Sequence, residues 1–77
     1  MLKNEFICRR ALRAIEAFES EFNVRLAAPR ALLLADRYRD LDLTLIELCS
    51  IEPEARIGVA LAELRDQIRR ITGARRS

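Results

Sequence analysis

Asp36, Asp40 and Glu47 fall near one another on one side of a helical segment, and three carboxylates so placed could hold a divalent cation. Helical bundles that bind metal aim their carboxylates inward and pair them with histidine. This chain has no histidine, and the three acids lie away from the nearest apolar stripe. A solvated face is therefore expected, with no metal or other cofactor. Cys8 precedes Arg9 and Arg10 near a helix start, and both features lower a thiol pKa. It also sits on an apolar stripe, where a free cysteine behaves as a small hydrophobe. No Ser or Cys has an activating base in sequence, and there is no Gly-rich phosphate loop. These residues point away from catalysis.

Arginine is the other residue type that carries chemistry. Of the 14 basic residues, Lys3 is the one lysine and the other 13 are Arg, whose fork-shaped cation suits carboxylates and phosphates. A GC-rich coding sequence would raise Arg and Ala together. The net charge of +2 hides an uneven distribution. Lys3, Arg9, Arg10 and Arg13 face only Glu5 in residues 1–13, whereas acids predominate over residues 14–64. Arg65, Arg69, Arg70, Arg75 and Arg76 then gather near the C-terminus against Asp66. Those five are the candidate nucleic-acid contacts, acting through phosphates. Cations in a last helical turn also complement the helix dipole. Asp36 with Arg39 and Asp66 with Arg70 are spaced as helix-surface pairs.

Three apolar stripes position these groups. Cys8, Ala11, Ile15, Phe18 and Phe22 recur at steps of three and four, as do Leu34, Tyr38, Leu41, Leu45 and Leu48. Ile57, Leu61, Leu64, Ile68 and Ile71 form the third. Such steps bracket the 3.6-residue turn and put each set on one helix face. The spacing predicts helices over 4–22, 29–50 and 53–72, with a frayed tail over 73–77. Asn4 is the expected first cap, Asn23 a left-handed stop, and Ser50 or Glu52 the cap of the last helix. Pro29 suits a first turn, although Ala27 and Ala28 ahead of it offer no side-chain cap. Gly73 belongs at a C-terminal stop. The fold class expected is all-α, in one domain. An antiparallel hairpin and an N-terminal helix close as a three-helix bundle that self-associates. In such an up-down-up bundle, the two basic termini lie at opposite ends.

Helix two is apolar on a second side through Leu32, Leu43 and Ile46, so something must cover it twice. A 77-residue chain buries only about 60% of its unfolded surface, and neither a metal nor a disulfide framework supplies a staple. Oligomerisation is the remaining source of stability, as a dimer or with a helical segment of another protein. Leu32, Leu43, Ile46, Ile57, Leu61 and Leu64 are the candidate protein-interface residues. Gly58 and Ala62 predict a tight helix crossing inside the bundle. The absence of a signal peptide or a membrane-length apolar run predicts a cytoplasmic protein.

One segment carries a family resemblance. Leu61-Ala-Glu-Leu-Arg-Asp-Gln-Ile-Arg-Arg-Ile resembles the opening helix of the all-helical chorismate mutases, a run of the LxxLRxxIDxID type. The resemblance implies a helical enzyme with Arg65 as a substrate-binding cation. Arg69 stands where that family has Asp, and its later helices, with a catalytic Lys and acid, have no counterpart here. In outline and size the hairpin is also similar to small cytosolic chaperones of secretion systems. The function expected is a non-enzymatic protein–protein interaction module: an adaptor, assembly factor or chaperone-like subunit. A nucleic-acid-binding accessory protein is the alternative.

Overall fold

The computed structural model describes the backbone of residues 2–73 and the side chains of residues 5–73. The expected frayed tail beyond Gly73, with Arg75 and Arg76, lies outside the described residues. The fold is all-helical, with four helices among the described residues where three were expected: α1 (Leu2–Phe22), α2 (Ala27–Leu34), α3 (Tyr38–Ile51) and α4 (Arg56–Thr72). They pack in cyclic order, α1 on α2, α2 on α3, α3 on α4 and α4 on α1. Glu21 reaches Arg56 across the α1–α4 seam, and Asp42 reaches Arg65 across the α3–α4 seam. Neighbours therefore run antiparallel, up-down-up-down.

The extra helix comes from a break in the middle stripe. The Ala35 and Asp36 N–H groups donate to Ala31 and Leu33, and the Arg37 N–H reaches back to the Leu32 carbonyl at 2.9 Å. Asp36 takes φ 59°. This is a Schellman stop with aspartate where glycine is usual. The register differs on the two sides of the break: α2 buries Leu33 fully and leaves Leu34 63% exposed, whereas α3 buries Leu41 and Leu45. A 22-residue helix apolar on two sides would leave one side wet. Folding it back at Asp36 gives each half a single core face, with Pro29 and Leu33 from α2 and Leu41 and Leu45 from α3. Tyr38 opens α3 and donates its hydroxyl to Asp36 Oδ1 at 3.0 Å. Burial, then that carboxylate, pushes its pKa up to about 12. Asp36 is thus engaged by Tyr38, and Asp40 pairs with Arg37 rather than serving a shared acidic site.

Other helix ends also depart from expectation. α1 starts at Leu2, ahead of the expected cap at Asn4. α4 starts at Arg56 behind Ala55, with Pro53 in the preceding turn. Ser50 stays inside α3 and donates to the Ile46 carbonyl at 2.8 Å. Asn23 (φ 55°) and Gly73 (φ 71°) both adopt the left-handed conformation at their helix ends.

The weak start of α2 is capped from another helix. Glu19 of α1 accepts the Leu26 N–H at 2.8 Å and is gripped by the Arg30 guanidinium at 3.0–3.2 Å. Arg30, then the Leu26 N–H, holds the Glu19 carboxyl below its ordinary value of 4.5. A lowered folded-state pKa stabilises the fold fully above the unfolded value, and the contribution is lost as pH falls through the folded one. Glu19→Gln should therefore lower Tm at neutral pH and shrink the further fall in acid. Thermal melts of both proteins across the acid range check this.

The core is one cluster at the centre of the ring. Ala11, Ile15 and Phe18 of α1 meet Leu26 of the α1–α2 linker, Leu33, Leu41 and Leu45, and Leu61, Leu64 and Ile68 of α4. Gly58 is buried beneath the α3–α4 connection. A Cβ there would stand 1.9 Å from the Glu52 carbonyl oxygen. The close approach is thus helix to loop, and not the crossing expected of Gly58 with Ala62, which is exposed.

Candidate functional site

An apolar groove opens at the end of the bundle where α1 and α3 finish and α4 begins. Its volume is about 240 Å³. Phe18 and Leu61 form part of its wall from the core, and Leu26 and Val24 enter from the α1–α2 linker. Leu48 and Ile51 come from the last turns of α3, and Ile57 and Gly58 from the first turn of α4. Glu52 is the one charged residue in the wall. Ile51 is 73% exposed and Val24 38%, so the groove presents uncovered hydrocarbon.

Local sequence explains how this opening arises. Ile51 is the end of the Leu41, Leu45, Leu48 stripe carried one step of three further, and the helix stops there. The short return through Pro53 can approach α4 because Gly58 lacks a Cβ. At the margin, Arg56 lies over the Phe22 ring at 5.0 Å and pairs with Glu21 at 3.1 Å. In the segments that frame the groove, the exposed acids Glu21, Glu47, Glu52 and Glu54 outnumber Arg25 and Arg56. The opening is therefore apolar inside and acidic outside.

The residues singled out in the sequence do not form one surface. Ile57 and Leu61 line the groove. Leu61 and Leu64 are 6% and 4% exposed within the chain's own core, so little of either is left for a partner. Leu32 and Ile46 are half-buried, and Leu43 is 53% exposed on the outer side of α3. Val24, Leu26 and Ile51 escaped sequence reasoning. The first two stand in a linker without periodicity, and Ile51 lies past the expected helix end.

The candidate arginines divide similarly. Arg65 donates two hydrogen bonds to Asp42, at 2.9 and 3.3 Å, and Arg69 Nε approaches the same carboxylate at 3.6 Å. Neither lines the groove. Arg70 is exposed in the last turn of α4. Cys8 and Cys49 are free and half-buried, and the Cys49 thiol donates to the Ile46 carbonyl. Among the described residues, no three acids or cysteines cluster as metal ligands. No described helix is long and apolar enough to cross a membrane. No protein-family model, curated protein or solved structure matches the chain.

Proposed function

We propose that this protein is a non-enzymatic, cytoplasmic protein–protein interaction module of the adaptor or chaperone-like kind. It docks a basic amphipathic helix of a partner in the groove between α1, α3 and α4. The observation that carries this reading is the groove itself, about 240 Å³ of apolar wall with Ile51 left 73% exposed. A helix laid in such a groove contributes apolar side chains at steps of three and four. The acidic surround favours a cationic partner and speeds its approach. Two copies meeting groove to groove would oppose like charges, which argues against a symmetric dimer through this face.

A model helix of leucine and lysine tests the reading, with a leucine–glutamate helix as its counterpart. The lysine peptide should bind and the glutamate peptide should not. Ile51→Ser should weaken binding about tenfold, the value of burying part of one aliphatic side chain. Its Tm should hardly change, because Ile51 contributes little to the folded core. Equal affinity of the two peptides, or an Ile51→Ser variant that binds as well as the parent, overturns the proposal. Sedimentation showing a dimer that Ile51→Ser dissociates would instead assign the groove to a second copy.

A further inference from the structure

We infer that the opposite end of the bundle binds single-stranded nucleic acid, through Phe6, Arg9, Arg10 and Arg13 of α1 together with Arg70 of α4. The four-helix topology is what makes this surface. In an up-down-up bundle the basic termini would be separated; with a fourth helix, the start of α1 and the end of α4 lie side by side. Ala14 of α1 and Gln67 of α4 line one shared cavity. One turn further along each antiparallel helix brings Arg10 level with Arg70.

On α1, residues 6, 9, 10 and 13 follow steps of three, one and three. At about 100° per residue they occupy an arc of about 100° on the side away from Ala11, Ile15 and Phe18. All four are exposed, Phe6 to 59%. Arg10 lies over the Phe6 ring at 5.7 Å. Pairing separates these arginines from most of the others. Arg30, Arg37, Arg56, Arg65 and Arg69 each face a carboxylate, whereas no ion pair engages Arg9, Arg10, Arg13 or Arg70 among the described residues. Glu5, Glu16 and Asp66 are the acids within about one helical turn of them in sequence, and Glu16 faces Arg30. Arg25 and Arg39 are also exposed without such a pair but stand on other elements.

Uncommitted guanidinium groups flanking one exposed aromatic ring provide the two things a single strand needs, phosphate neutralisation and a stacking face. A lipid surface would require a broad apolar stripe on the outer side of the helix. Among the described residues of that arc, Phe6 is the one large apolar side chain, and the main stripe of α1 is spent on the core. The bundle is 38 Å long, far beyond the Debye length of about 8 Å at physiological salt. The acidic groove at the other end therefore does not cancel this field.

The test is fluorescence anisotropy with a labelled oligothymidylate of about 15 nucleotides, a typical site size for such surfaces. Four neutralised phosphates give a slope of log affinity against log salt of about −3, which should fall to about −1.5 in Arg9→Ala/Arg13→Ala. Phe6→Ala should lose about tenfold in affinity with the slope unchanged, as stacking requires. Arg25→Ala, at the groove end, should bind like the parent. No binding at low salt overturns the inference. So does a loss as large in Arg25→Ala as in the double variant, or binding to phosphatidylserine vesicles without binding to the oligonucleotide. Because these residues lie away from the groove, failure here leaves the peptide-docking result untouched.

Discussion

Leu33→Ala should lower the unfolding free energy by about 3–4 kcal/mol, whereas Leu34→Ala, one residue on, should change it by less than about 0.5 kcal/mol. Leu33 is fully buried and Leu34 is 63% exposed. Truncating a buried leucine loses its transfer free energy and leaves a cavity that the neighbours fill only in part. At about 0.05–0.15 kcal/mol per residue, a 77-residue chain has only about 4–12 kcal/mol in total. The first substitution therefore takes about a quarter of it or more. Urea unfolding followed by circular dichroism measures both. The contrast tests the break between α2 and α3 directly. An unbroken helix carrying Leu34 on the Tyr38, Leu41, Leu45 stripe would reverse the order of the two effects.

Gly58→Ala should destabilise the protein by about 2–3 kcal/mol, as an overpacked site does. Intrinsic propensity predicts the opposite sign, since alanine in a helix interior is favoured over glycine by about 1 kcal/mol. The structure decides between them. The new methyl carbon would lie 1.9 Å from the Glu52 carbonyl oxygen and 3.1 Å from the Pro53 Cα. Both are backbone atoms that cannot rotate away, so the α3–α4 connection must shift. Ala62→Gly, on an exposed position of the same helix, is the control and should lose only the propensity difference of about 1 kcal/mol. A Gly58→Ala protein that melts higher than the parent would show that the loop does not press on α4. Because Gly58 and Glu52 both line the groove, the same substitution should also weaken docking of the lysine peptide.

The stripes of α1 and α4 were legible because each helix buries one face, and a single face leaves a clean step of three and four. The middle stripe misled for an identifiable reason. Residues 29–50 contain no internal Gly and no second Pro, and helical spacing runs through Asp36 without interruption. Aspartate tolerates the left-handed conformation but does not announce it. The apolar surplus at Leu32, Leu43 and Ile46 was a real signal that one straight helix could not satisfy. The groove was harder to see. Val24 and Leu26 have no period around them, and Ile51 belongs to it through the position of a loop. Glu19 as the cap of α2 acts across a helix pair, beyond the reach of any local capping rule.

Local chemistry by itself determined that this chain is helical. It set which faces of the first and last helices are apolar, and where Asn23 and Gly73 end those helices, because periodicity and left-handed stops act within a few residues. Tertiary structure decided how many helices there are, since only packing weighs the wet second face of a 22-residue helix against the cost of folding it at Asp36. With that fourth helix the parity of the bundle changed. The basic ends of α1 and α4 came to one end and the acidic, apolar groove to the other, an arrangement that depends on chain direction and not on any residue's neighbours in sequence.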